Sequence, residues 1–159
     1  MPGTHHYATE LTWTGNTGSG TATYRSYRRT CEVRAEGKPS LAGSSDPHFR
    51  GDADRWNPEE LLVAALSQCH LLAFLHAAAD GGVVVVDYSD AAGGTLRTEG
   101  TGGRMTEVVL RPVVTVAVPE MAAACAELHE RAHQDCFIAS SVSFPVIHEP
   151  AVRVANPTP

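Results

Sequence analysis

From Leu61 to Ala79 no side chain is charged at pH 7 with neutral histidine, and Leu, Val, Ala and Phe fill most positions. The run is entered through Asn57-Pro58-Glu59-Glu60 and left through Gly81-Gly82. Asn is a strong N-cap, Pro suits the first helical position because it has no N–H to leave unpaired, and carboxylates are favoured where the helix dipole is positive. Together these signals predict one helix from Pro58 to about Asp80. Apolar residues all round such a helix imply that it is covered on every side. Its length approaches a membrane span, but Ser67, Gln68, His70 and His76 interrupt the run. A central core helix is therefore expected, with no membrane association.

The remaining sequence is globular in composition. With 159 residues, 43% hydrophobic and 19% charged, the chain is long enough for one well-buried core and short for two. One domain over 1–159 is expected, with flexible ends at 1–6 and 155–159. The 12 Lys+Arg against 18 Asp+Glu give a formal net charge of -6, so no sequence-wide basic field exists to hold nucleic acid or anionic lipid. Met1 to Glu10 has no basic segment followed by an apolar one, which predicts a cytoplasmic protein without a secretory signal. Four cysteines with no CxxC pair are too sparse for a disulfide scaffold.

Tyr7 to Glu36 is rich in Thr, Tyr, Val and Trp around turn residues Gly15 to Gly20, and reads as a β-hairpin. Gly37 to Arg55 has no periodic apolar pattern and reads as a surface loop. Val83–Val86 and Glu107–Val118 are β-branched runs joined by a Gly-rich connection, the expected strands of a second sheet. Pro119 opens a second helix to about Gln134, with Met121, Cys125, Leu128 and Ala132 on one apolar stripe. A short helical turn within Asp135–Ser141 and a strand within Val142–Val154 complete the order. Strands and helices segregated in this way argue an α+β class with antiparallel sheets.

Three residue groups carry chemistry. Cys69, in the middle of the apolar helix, is by itself a small core hydrophobe; followed by His70, and with Cys136 at a turn after the second helix, it becomes a candidate redox thiol. Cys31 and Cys125 read as packing residues. His129-Glu130-Arg131-Ala132-His133 spells HExxH on a predicted helix, the pattern of zinc peptidases, for which His148 or Cys136 would have to supply a third ligand. The plainer reading is a helix end whose His and Arg complement the dipole, with no metal.

The run Asn57-Pro58-Glu59-Glu60-Leu61-Leu62-Val63-Ala64-Ala65-Leu66-Ser67-Gln68-Cys69 resembles the NPEE/Q-L…A…S-x-C helix of the OsmC/Ohr proteins (osmotically induced protein C and organic hydroperoxide resistance protein). Ala132-His133-Gln134-Asp135-Cys136 is similar to the second cysteine segment of that family. The resemblance implies an OsmC-like fold in an intertwined homodimer. It also implies a thiol-dependent peroxidase that prefers organic hydroperoxides, defends against oxidative stress and needs no cofactor beyond a thiol or dithiol reductant. Cys69 would be the peroxidatic thiolate and Cys136 the resolving cysteine. An Arg would lower the thiol pKa and Glu59 would orient that Arg. The family's Arg comes from the N-terminal strands or the loop before the helix, where Arg50 and Arg29 are the candidates. Phe137-Ile138-Ala139-Ser140-Ser141 replaces the Pro-Tyr-Ser of the hydroperoxide-resistance branch, which marks a divergent subgroup.

Glu59 and Cys69 are ten positions apart (59 to 69), about 15 Å along a helix and about 80° around it. They cannot meet within one chain. If both serve one site, Glu59 arrives from a second copy across a two-fold axis, giving two sites at a dimer interface. A non-enzymatic binder of a small apolar ligand on the same fold is the alternative of another class.

Overall fold

The computed structural model describes residues 3–156; parts of the tails expected to be flexible, 1–2 and 157–159, lie outside them. The chain divides into two compact units, Met1–Leu61 and Leu62–Pro159.

In the first unit, β1 (Glu10–Trp13), β2 (Cys31–Arg34) and β3 (Leu41–Gly43) form an antiparallel sheet in the order β1-β2-β3. β1 and β2 are the expected hairpin, with Trp13 opposite Cys31. Their connection is longer than a tight turn because side chains build it. Asn16 Oδ1 accepts from the N–H groups of Gly18 and Gly20 (2.9 and 3.0 Å), and the Trp13 indole N–H donates to the Arg28 carbonyl (2.9 Å). The segment expected to be loop, 37–55, contains β3 and a 3-10 turn at Pro47–Phe49 capped by Asp46. A three-residue strand has too few positions to display an alternation, and β3 is held by the backbone of Trp56: Ser44 N–H donates to Trp56 O and Trp56 N–H to Ala42 O (2.9 and 3.1 Å).

The loop closes on Gly51, where an added Cβ would lie 1.5 Å from Ser45 O. Gly51→Ala should force the backbone at 45–51 apart and destabilise this unit by about 3 kcal/mol. Both tryptophans, Trp13 and Trp56, lie in this unit, so denaturation followed by tryptophan fluorescence reads the change.

α1 runs from Pro58 to Asp80 as the sequence predicts. Asn57 Oδ1 accepts from Glu60 N–H (2.8 Å) while Glu60 Oε2 accepts from Asn57 N–H (3.3 Å), a reciprocal cap. At the other end Gly82, at φ 70°, allows Val83 N–H to reach Ala78 O and Gly82 N–H to reach Ala79 O, the hydrogen-bond pattern of a Schellman stop.

The second unit packs one face of α1, Leu66, His70, Phe74, Ala77 and Ala78, into its core. Phe74 lies among Val114, Val116, Cys125, Leu128 and Ala132, and Leu66 lies with Val108 and Leu110. Burial of Phe74 and Leu66 contributes about 2–3 kcal/mol each. The expectation that α1 is covered all round does not hold in the single chain: Leu72 is 59% exposed and Leu75 38%. A helix packed on one face by its own chain leaves the other face to solvent or to another molecule.

Two three-stranded sheets belong to this unit. β4 (Val85–Asp90), β7 (Pro112–Val116) and β9 (Ala151–Val154) form one, in the order β4-β7-β9; β5 (Gly93–Glu99), β6 (Gly102–Leu110) and β8 (Val146–His148) form the other, in the order β5-β6-β8. β4–β7 and β5–β6 pair antiparallel, as expected. β8 and β9 add in parallel to β6 and β7, so the sheets are mixed. The chain passes through α2 between them, and a long crossover of this kind is what a parallel pair requires. The Gly-rich segment expected to be a connection is instead the β5–β6 hairpin. Its glycines permit close approach: a Cβ on Gly94 would lie 2.5 Å from the Met105 side chain and 2.8 Å from that of Val63. Pro119–Ala124 is a 3-10 turn, and α2 follows from Cys125 to Asp135 with the predicted stripe buried at Cys125, Leu128 and Ala132. A further 3-10 turn occupies Ala139–Ser141.

Candidate active site: a cysteine pair beside a histidine cluster

The second unit brings Cys69 and Cys136, 67 positions apart in sequence (69 to 136), close enough together that the Cys69 thiol raises the Cys136 pKa. Cys69 lies in the middle of α1 and is half-buried; Cys136 caps the C-terminus of α2 and is buried. The turn after α2 wraps Cys136: Ala139 N–H donates to its Sγ (3.4 Å), and the N–H and hydroxyl of Ser140 donate to its carbonyl (both 3.1 Å). Burial, and then the neighbouring Cys69 thiol, push the Cys136 thiol up to about 11. At neutral pH Cys136 therefore keeps its proton, and Cys69 is the thiol open to an incoming molecule.

Ser67, two positions before Cys69, donates to Asp90 Oδ2 (2.5 Å), and Asp90 Oδ1 accepts from Arg111 N–H (2.6 Å). This chain ties the cysteine-bearing part of α1 to the end of β4. Asp90 carries no local sequence signal for that role, because the partner lies 23 positions away. The other two cysteines stand apart in function. Cys31 faces Gly43 within the first sheet, and Cys125, its thiol also raised by burial, packs in the core of the second unit. All four are free thiols.

Glu59, Arg50 and Arg29 lie in the first unit. Glu59 is half-buried in the first turn of α1. Arg50 is exposed and left-handed at φ 68°, following the 3-10 turn. Arg29 is held locally: its guanidinium donates to the carbonyls of Tyr27 and Tyr24 (both 2.7 Å) and lies over both rings at 4.2 and 4.3 Å. Of the two candidate activating arginines, Arg50 is the one whose side chain has no such engagement among the described residues.

The HExxH segment faces inward. His129 is buried and His133 half-buried, whereas Glu130 is exposed. His129 Nδ1 lies 3.0 Å from His70 Nε2. His148 packs on His70 and His133 with ring centroids 4.4 and 4.6 Å apart. Desolvation, then the neighbouring imidazoles, lower His70 to about 3; desolvation, then His148, lower His129 to about 4. Among the described residues no three His, Cys, Asp or Glu side chains are set to hold a metal ion. The positive end-of-helix role expected here gives way to a neutral one at His129, because the fold takes that ring out of water.

The sequence profile of the OsmC-like proteins matches residues 51–149, more than half the chain. The chain belongs to the OsmC-like family. Among solved structures, an OsmC-like protein of unknown function from Vibrio cholerae is 32% identical, with a TM-score of 0.83 over 92% of this chain and 99% of that one. An organic hydroperoxide resistance protein from Elizabethkingia anophelis is 21% identical (TM-score 0.66, 95% and 99% covered). A Legionella pneumophila structure described as an organic hydroperoxide resistance protein OsmC has the same identity and TM-score, with 95% and 100% covered. The last two share the OsmC-like fold with this chain. No functionally curated protein matches the sequence significantly.

Proposed function

We propose that this OsmC-like protein is a cytoplasmic cysteine peroxidase that reduces organic hydroperoxides, and perhydroxyl compounds as small as hydrogen peroxide, in oxidative-stress defence. The observation that carries this reading is the proximity of Cys69 to Cys136, close enough that one thiol raises the pKa of the other. A half-buried thiol beside a buried, protonated one is the arrangement a two-step redox cycle needs. The Cys69 thiolate attacks one oxygen of the peroxide, the O–O bond breaks, the alcohol leaves with a proton, and the sulfur is oxidised by two electrons to the sulfenic acid. The Cys136 sulfur then attacks that sulfenic sulfur, an S–S bond forms, and the hydroxyl leaves as water with the Cys136 proton. A thiol or dithiol donor returns two electrons and restores both thiols. No metal or organic cofactor enters the cycle.

The names of the hydroperoxide-resistance relatives support the substrate class. So does Phe137, 82% exposed immediately after Cys136, as an apolar surface for an organic substituent. The exposed Leu72 and Leu75 face on an otherwise apolar helix supports a homodimer built on α1. α1 is unbroken from Pro58 to Asp80, so Glu59 would reach a thiol only across that two-fold axis, with Arg50 as its guanidinium partner and the activating charge.

Reduced protein carries four thiols per chain. One equivalent of cumene hydroperoxide should leave two, with Cys69 and Cys136 joined in the peptide map, and hydrogen peroxide should do so more slowly. Four thiols remaining after peroxide treatment would reject the peroxidase and favour the apolar-ligand binder.

A further inference from the structure

His70 on α1, His129 and His133 on α2 and His148 on β8 form one cluster, and it leaves four ring nitrogens buried without a partner among the described residues: His70 Nδ1, His129 Nε2, His133 Nδ1 and His148 Nε2. The rings of His70 and His129 are nearly parallel, 7° apart, and Phe74 stacks on His129 with centroids 4.2 Å apart. We propose that this cluster is an acid-operated latch: neutral imidazoles clamp α1, α2 and β8 together, and proton uptake releases α2 and with it Cys136 from Cys69.

Geometry sets the sign. A proton added to any one ring meets other rings rather than a carboxylate in hydrogen-bond contact. The nearest charges are Glu130 of α2 and Asp90 of β4, which act on His148 only through space. Asp90 is already engaged by Ser67 and the Arg111 N–H. Of the other acids near these elements, Asp80 and Asp135 pair with Arg131 and Glu149 with Arg111, while Glu127 of α2 and Asp87 of β4 are exposed to solvent and Glu59 and Glu60 lie in the first turn of α1. On β4, Tyr88 packs on Phe74 and its hydroxyl has no partner. The closed cluster therefore refuses protons that the open, hydrated imidazoles accept, and the folded values of His70 and His129 lie below the ordinary 6.5. Closure is complete above that value and is lost as pH falls below it. With at least two protons taken up on opening, the open population should rise about 100-fold per pH unit in that range.

Movement of α2 reaches the thiol pair directly. His133 lies three positions before Cys136, and its carbonyl accepts from the Cys136 N–H (3.4 Å). The consequence is that acid separates the two thiols whether or not they are a peroxidase pair.

The test is a histidine-side-chain NMR titration of the full chain from neutral to about pH 4.5, beside hydrogen exchange of the α2 segment corrected for chemical rate. The latch predicts that the His70, His129 and His148 imidazoles stay neutral below 6.5 and then charge together as α2 loses protection steeply. His148→Phe, which keeps a ring but takes no proton, should move that opening to lower pH and make it shallower. Cluster imidazoles that titrate singly near 6.5 with α2 protection unchanged would overturn the proposal, and this wild-type result stands even if the variant does not fold. So would an opening in His148→Phe with the wild-type midpoint and steepness.

Discussion

Cys69→Ser should lower the single-turnover rate with cumene hydroperoxide at least about 100-fold, because a serine hydroxyl supplies essentially no oxyanion at neutral pH to attack an O–O bond. Cys136 does not substitute. It is 1% exposed, and a thiol pushed up to about 11 is only about one part in 10⁴ thiolate at pH 7. Cys136→Ser should behave differently. Its first turnover should persist, since the Cys69 nucleophile is intact. The sulfenic acid then has no partner, and excess peroxide should drive it to the sulfinic acid, visible as two added oxygens by mass spectrometry. The asymmetry between the two variants is the sharpest outcome: equal residual rates would mean that the thiols are not ordered as attacker and resolver.

The second large effect is on stability. The 62–159 unit should lose about 4 kcal/mol between pH 7 and pH 5, measured by urea denaturation with far-UV circular dichroism. His70 and His129 carry folded values of about 3 and about 4 against 6.5. Both are bases whose folded value is depressed, so the unfolded state binds more protons between those limits and stability rises with pH. At pH 5 each contributes about 1.36 kcal/mol for each of the 1.5 units below its unfolded value, about 2 kcal/mol apiece. The loss begins near pH 6.5 and continues until the folded rings themselves charge. A loss of this size is comparable with the whole stability of many domains. A flat profile from pH 7 to pH 5 would mean that water reaches these rings in the folded chain.

The thiol pair and the imidazole cluster have different origins in the sequence. Cys69 and Cys136 were legible as a candidate pair through the motifs they share with the family. The arginine was not, because no local pattern distinguishes a guanidinium serving a thiol from one such as Arg29, which is held over two tyrosine rings. His129 and His133 were legible as an HExxH pair on one helix, but His70 lies 59 positions from His129, and no periodicity announces that they meet.

Local chemistry alone determined α1, with its reciprocal Asn57–Glu60 cap and its Gly82 stop, and the buried stripe of α2. Each depends on residues within a turn or two, where hydrogen bonds and dihedral preferences act without help from the rest of the chain. Tertiary structure decided that the glycines from Gly93 to Gly103 form a hairpin, that β8 and β9 join in parallel, and that burial lowers the pKa of His70, His129 and His148. Those outcomes turn on what lies across from each residue. A glycine is a hinge in solvent and a close contact beneath Val63 and Met105, and a histidine is a charge at a helix end until burial removes the water that would hold its proton.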